Sequence, residues 1–481
     1  MLGYVHHTQP YDHQKKANER SWNRASFAFL MEMGTGKTKV AIDEMCAMYE
    51  AGLIDAAVVF APKGVYGNWV NTELPTHMPP RIMDKCVIAQ WRAGGGSKAH
   101  QAFLAEVLEW TDFKILVINI EALSSGTHGY LYLNKFIASA KRLAAYVDES
   151  TSIRTHDATR TKRMLAIRDK FLYRRIMSGL IAPRSPLDLF SQFTFLDTRI
   201  LGYTSYFAFR SRFAVMKQQY FGGRKVNVVV GYRDVNELSD LIQPHSFRVT
   251  KDECLDLPEK IYTVREVELT EEQERIYKDI RENARAALEA PVKCPACVDG
   301  YVKDDGAEHP CLRCGGMGEV AGAAVSATAV ITQILRLHQV VCGHVTDEDG
   351  LIHDIPSRRI DELMQVLQET DNKTIIWARY RRDIEKIFEA ISTAKDGEGR
   401  LVYGPDSVVQ YHGGISDADR KKAIYRFQGH IFENNERLEC PKREQARFFV
   451  GNAQTGGFGL TLTAAKSVVY YSNDYDLEKR L

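Results

Sequence analysis

The stretch LMEMGTGKTKV, residues 30–40, decides how the whole chain is read. It closes on the Gly36-Lys37-Thr38 of a phosphate-binding loop, but Met31 stands where the G-x-x-x-x-G-K-[ST] pattern has its first glycine. Such a loop works because backbone N–H groups at a helix amino terminus point at phosphate oxygens. A lysine reaches the terminal phosphates, and the next hydroxyl helps to hold Mg2+. Gly34 and Gly36, with Thr35 between them, allow the close turn; Lys37 supplies charge and Thr38 the hydroxyl. KVAIDEMCAMYEA then reads as the helix that the loop caps.

A second signal lies about 110 residues downstream, where Asp148-Glu149 ends the run AAYVDE. In isolation an Asp-Glu pair is a solvated turn. At the carboxyl end of a buried strand it stands where an open α/β sheet presents its ligand-facing residues. There Asp148 can hold Mg2+ and Glu149 can orient or deprotonate water.

Four short apolar runs lie in the first part of the chain: AAVVF (56–60), KILVINI (114–120), AAYVDE (144–149) and RRIMSG (174–179). Four more lie near its end: KTIIWAR (373–379), SVVQYHG (407–413), ARFFVGN (446–452) and SVVYYSN (467–473). They are continuous rather than alternating, as strands buried on both faces must be. Amphipathic segments such as DADRKKAIYRFQ lie between them, so both ends predict parallel-sheet α/β domains.

With 481 residues, 44% hydrophobic and 26% charged, the chain has the composition of a globular protein of two or three domains. A formal net charge of +1 excludes a globally basic nucleic-acid coat and leaves room for local patches. The beginning, MLGYVHHTQPYDHQKK, lacks the charge and apolar pattern of a secretion signal, and no apolar run spans a membrane, so a cytoplasmic protein is expected.

Together the loop and the acid pair resemble superfamily 2 helicases and translocases (DEAD/DEAH-like ATPases), whose loops need only G-x-G-K-T. The wider match is to the Swi/Snf-type branch. Pro10-Tyr11-Asp12-His13-Gln14 looks like that family's adenine-reading element, with Gln14 as the reader. Phe60-Ala61-Pro62-Lys63 with Asn68-Trp69 is similar to V-x-P-x-x-x-x-x-N-W. Ser178-Gly179-Leu180 stands where the family has T-G-T, and SPLDLFSQFTFLD follows it. Val267-Glu268-Leu269-Thr270 with Gln273 and Tyr277 resembles the inter-lobe segment, and Leu335-Arg336 with Cys342 and His344 the start of the second lobe. Tyr411-His412-Gly413-Gly414 with Arg420 and Phe427, and Thr455-Gly456-Gly457-Phe458-Gly459-Leu460-Thr461-Leu462, match motifs of that lobe.

The resemblance implies two RecA-like lobes that bind ATP and Mg2+ between them and step along nucleic acid, generally duplex DNA, without unwinding it. It implies coupling roles for Ser178, Gly457 and Gly459. The alternatives are a strand-separating helicase, a defence or restriction ATPase, and, in a different class, a non-catalytic nucleotide-switched scaffold. Residues 1–200 are expected to form the ATP-binding lobe, 201–260 a basic and aromatic elaboration, 261–325 an inter-lobe segment, and 326–481 the second lobe. The family has a further Q-x-x-x-R-x-x-R motif after SVVYYSN that carries an arginine finger. The sequence given ends at Asp476-Leu477-Glu478-Lys479-Arg480-Leu481, so ATP binding with poor hydrolysis is expected of it unless the protein continues beyond Leu481. The motif details look like prokaryotic or phage-encoded members.

Two stretches are read as the track. Residues 154–184 hold nine Lys or Arg against two Asp, and residues 198–233 hold seven against none. In the second, Tyr203, Tyr206, Phe207, Phe209, Phe213, Tyr220 and Phe221 interleave with the cations, and most are expected to anchor a core rather than stack on bases. The cations are assigned to phosphate contact as a group.

Finally, Cys294, Cys297, Cys311 and Cys314 give C-x2-C-x13-C-x2-C, the spacing of a four-thiolate zinc ribbon at about 291–320. Four thiolates leave no open position, so a structural Zn2+ is expected, on an arm that touches DNA or a protein partner. Cys46, Cys86, Cys254, Cys342 and Cys440 lack metal spacing, and His338 and His344 are expected to pack rather than ligate.

Overall fold

The computed structural model describes the chain except residues 1–2, 93–95, 125–127, 222–223, 257–259, 290–291, 294–298, 300, 305–306, 312–316, 318, 321–326, 348, 434–435, 454–459, 461 and 474–481. The phosphate-loop stretch begins in a strand, β1 (Ser26–Met31), whose six residues are all buried. Because successive side chains point to opposite faces, Ala28 and Leu30 enter one apolar cluster while Phe27, Phe29 and Met31 enter another. Apart from Ser26 at its start, this strand, clad on both sides, is apolar.

Eight further strands follow in this half: β2 (Ala56–Ala61), β3 (Cys86–Gln90), β4 (Phe113–Asn119), β5 (Leu143–Val147), β6 (Tyr173–Met177), β7 (Ala214–Phe221), β8 (Arg224–Tyr232) and β9 (Ser246–Val249). Seven of the nine form one sheet in the order β3-β4-β2-β5-β6-β1-β9. Every pairing in it is parallel. β9, from the segment read as an elaboration, is thus an edge strand beside β1. β7 and β8 form a separate antiparallel ribbon with an irregularity between Val215 and Met216.

The second sheet is also parallel, in the order Val408–Tyr411, Phe448–Gly451, Thr374–Trp377, Ser467–Tyr470. All eight runs picked out in the sequence are strands of these two sheets. Between the sheets, helix Glu271–Glu289 is tied to helix Ala327–Cys342 by Gln273, whose Nε2 donates to Val340 O at 2.7 Å. His344 and Asp383 are buried 3.3 Å apart, and His338 Nδ1 lies 2.9 Å from Tyr380 Oη, so both histidines pack as expected. Among the described residues no helix is long and apolar enough to cross a membrane.

Candidate nucleotide site

The sheet order fixes what lies along its carboxyl rim. β5, β6, β1 and β9 are consecutive neighbours, and their ends carry Asp148, Ser178, the loop 32–36 and Lys251 respectively. Helix α1 (Asp12–Ser21) brings Gln14 to the loop, and helix α2 (Lys37–Glu50) leaves from it.

The loop turns through left-handed glycines, Gly34 at φ +84° and Gly36 at +83°. Gln14 is buried beside Gly36; its Oε1 accepts from Tyr11 N at 2.9 Å and its Nε2 donates to Thr35 O at 3.1 Å. His13 Nε2 donates to the same carbonyl at 2.8 Å. A Cβ on Gly36 would strike Gln14 Nε2. The element read as adenine-binding is therefore locked to the loop through a position only glycine fits. The Thr35 hydroxyl donates to Glu32 O at 2.7 Å, so its side chain serves the turn, and its carbonyl receives the helix.

Lys37 is buried, its Nζ 3.4 Å from Glu32 O, and Thr38 is half-buried in the first turn of α2. Asp148 is buried at the end of β5. Its backbone N–H donates to Phe60 O at 2.7 Å, and its Oδ1 accepts from Glu149 N at 3.0 Å. The buried indole of Trp69 donates to Asp148 Oδ2 at 2.9 Å. Burial pushes the Asp148 carboxyl up; the Trp69 hydrogen bond and the Lys37 charge oppose it. Glu149 sits at φ +46°, a conformation disfavoured for a residue with a Cβ and found where a site holds a side chain in place.

Trp69 opens a single π-helical segment, Trp69–Glu73, the kind of irregularity that gathers at functional sites. Glu73, at its other end, is pushed up to about 7 by burial and by the Asp148 charge. One turn on, His77 is brought down to about 4 by burial and by nearby Lys39.

Ser178 is buried at the end of β6, with its Oγ accepting from Leu180 N at 3.2 Å. A Cβ on Gly179 would come within 3.1 Å of Met33 N, so this turn lies directly against the phosphate loop. In the second half, Arg420 Nε donates to His412 O and a further guanidinium nitrogen to Gly413 O, both at 3.2 Å. Gly457 and Gly459 lie outside the described residues.

The loop fits a polyphosphate with Mg2+ on its donor chemistry. A buried lysine, a helix amino terminus, a hydroxyl and a buried carboxylate converge, and the glycine turn tolerates no added carbon at Gly36.

Against this geometry stands the family comparison: the SNF2-related domain matches residues 20–298, more than half of the chain. The chain belongs to the SNF2-related family. Its curated relatives include protein CHROMATIN REMODELING 24 of Arabidopsis thaliana, 22% identical over 489 residues, 96% of this chain and 41% of the relative. They also include the putative ATP-dependent helicase/translocase YwqA of Bacillus subtilis (strain 168), 25% identical over 460 residues, 92% of this chain and 40% of the relative. The chain thus spans about two fifths of the length of these relatives. Among solved structures, the Sulfolobus solfataricus SWI2/SNF2 ATPase core in complex with dsDNA is 20% identical with a TM-score of 0.42. That match covers 98% of this SNF2-related chain and 84% of the other.

The structure corrects the assignment of basic residues to a track as a group. Of the nine cations in 154–184, at least four are engaged internally. Arg175 is fully buried and pairs with buried Glu44. Arg174 donates to Leu196 O, Arg168 O and Phe171 O. Arg168 reaches Thr194 O and Arg163 reaches Leu123 O. Each guanidinium is spent on a carbonyl or carboxylate of the fold itself. In the second stretch Arg212 pairs with Asp234 and Glu237, while Arg199 pairs with Asp197. Lys162, Lys170, Arg184 and Lys217 are exposed.

Four of the seven aromatics behave as core, and the side chains of Tyr220 and Phe221 lie outside the described residues. Phe209 and Phe213 are fully buried, and Tyr203 and Tyr206 pack on the same cluster, Tyr206 stacking on His156 at 3.6 Å; Phe207 is exposed. Of the proposed zinc ligands, Cys294, Cys297 and Cys314 lie outside the described residues, and Cys311 is buried just after the hairpin Tyr301–Asp304/Ala307–Pro310. Among the described residues no three His, Cys, Asp or Glu side chains gather as a metal site.

Sequence reasoning missed Glu32 and Lys251. Lys251 N donates to Glu32 Oε2 at 2.8 Å, and Glu32 N donates to Val249 O at 3.0 Å, which ties the loop to β9. Their adjacency comes from the pairing of β1 with β9, and no local pattern announces it.

Proposed function

We propose that this SNF2-related chain is the ATP-driven motor part of a protein that tracks duplex DNA. The observation that carries the reading is the order of the rim: the phosphate loop, the Ser178 turn and Asp148 on three adjacent parallel strands. Lys37 and the N–H groups of α2 bind the polyphosphate, Gln14 reads the adenine edge, and Thr38 with Asp148 would hold Mg2+. The metal supplies charge neutralisation on the phosphates. Glu149, fixed by its left-handed backbone, positions or deprotonates the attacking water. The Ser178 turn, in contact with the loop through Gly179, reports nucleotide state to the track, with Gly457 and Gly459 on the second half. Lys162, Lys170, Arg184 and Lys217, exposed on these stretches, contact the phosphates.

The name of the Bacillus subtilis relative, a putative helicase/translocase, agrees with this reading. Triplex-strand displacement with ATP, lost in Lys37→Ala and unaccompanied by forked-duplex unwinding, is the expected outcome. Unwinding without displacement would favour a strand-separating helicase. Neither, with DNA binding kept, would favour a scaffold.

Cys294, Cys297, Cys311 and Cys314 are proposed to hold one structural Zn2+. One equivalent of zinc released on thiol titration is expected, and a metal-free protein would end that proposal.

A further inference from the structure

Lys251 follows β9, the strand paired with β1, so the sheet itself sets its position at the rim. Its backbone is fixed: its N–H bonds Glu32 Oε2 at 2.8 Å. Its side chain is not. The ammonium lies 3.7 Å from Glu32 Oε1, with the two side chains 23% and 40% exposed, and a pair this long and this wet is weak. The Lys251 stem meanwhile crosses the phosphate loop, its Cε 3.4 Å from where a Cβ on Gly34 would sit. A second cation is therefore parked within reach of the loop on a carboxylate that holds it loosely. A triphosphate with one Mg2+ keeps negative charge beyond what Lys37 alone balances.

We propose that Lys251 is a second polyphosphate-binding cation of this site, with Glu32 as the counter-ion it leaves when a nucleotide binds. The inference rests on the nucleotide reading of the rim. It predicts opposite effects of the two partners. Lys251→Gln removes the cation and weakens binding. Glu32→Gln keeps an acceptor for the Lys251 backbone N–H but frees the ammonium, and strengthens binding.

The test is the affinity of fluorescent mant-ATP and mant-AMP for the chain, beside the thermal midpoint of each variant. Losing one charge-assisted contact weakens mant-ATP binding by roughly tenfold. Lys251→Gln should show that loss with mant-AMP much less affected, Lys251→Arg should recover most of it, and Glu32→Gln should bind mant-ATP more tightly than wild type. Unchanged mant-ATP affinity in Lys251→Gln, or parallel weakening in both glutamine variants, overturns the proposal and leaves the pair as a clamp on loop shape. A Lys251→Gln chain that no longer folds is replaced by Lys251→Arg and Glu32→Gln, where a Glu32→Gln affinity at or below wild type overturns it equally. A wild-type chain that does not bind mant-ATP overturns the nucleotide reading itself, a different result from either.

Discussion

Gly36→Ala is the substitution whose cost the structure sets most directly. The alanine would have to hold φ +83°, at about 1–2 kcal/mol for a left-handed residue. Its methyl would also occupy the place of Gln14 Nε2. A long side chain can usually step aside, but Gln14 is 2% exposed and pinned at both ends of its amide. Moving it forfeits two hydrogen bonds, about 1 kcal/mol each. Gly36→Ala should therefore cost about 3–4 kcal/mol, and Gln14→Ala alone about 2, since Thr35 O keeps its bond from His13. The double variant should cost no more than Gly36→Ala, because the amide is already lost, leaving a coupling of about 2 kcal/mol. Denaturant unfolding of the four proteins of this cycle measures each cost. Additive costs, with the double variant near 5–6 kcal/mol, about the sum of the singles, would mean that Gln14 and the loop do not compete for that space.

Arg175→Ala should destabilise by about 3–5 kcal/mol by leaving Glu44 charged and unpaired among apolar neighbours, while Arg175→Met with Glu44→Leu should fall close to wild type in the same unfolding assay. A double variant as damaged as the single would refute the charge argument. For Glu73, the folded carboxyl titrates near 7 against an ordinary 4.5, so the folded state carries an extra proton between them. The stability this proton gives is full below the ordinary value and is lost as pH rises through 7. Glu73→Gln cannot lose it, so its thermal midpoint relative to wild type should climb across that window; a pH-independent difference contradicts the burial of this carboxyl. Trp69→Phe removes the indole donor that fixes Asp148 Oδ2, so ATP turnover should need more Mg2+ to reach half its maximum. An unchanged Mg2+ requirement would assign Trp69 to packing alone.

Strands buried on both faces were legible because burial leaves a continuous apolar run, as in AAVVF and KILVINI. β3 and β9 were not. β3 is half-exposed near the sheet edge, and the four residues of β9 place an exposed arginine in their centre. The β7–β8 ribbon did leave a signal, the Gly222-Gly223 pair between two strand-like runs, which the aromatic and basic composition masked. At the site, Gln14, Lys37 and Asp148 could be named because their motifs have fixed spacing. The Trp69 bond to Asp148 and the Lys251 bond to Glu32 join residues 79 and 219 positions apart, and only the sheet order brings them together. Arg175 misled for the opposite reason: in composition it is one more cation in a basic stretch, and only its strand position makes it the partner of Glu44.

ATP turnover by the wild-type chain and by Lys37→Ala, without nucleic acid, with single-stranded DNA and with duplex DNA, tests the central claim most directly. A duplex-tracking motor predicts wild-type turnover that rises with duplex DNA more than with single strands, and that Lys37→Ala abolishes under all three conditions. Turnover indifferent to DNA, or kept in Lys37→Ala, would contradict it.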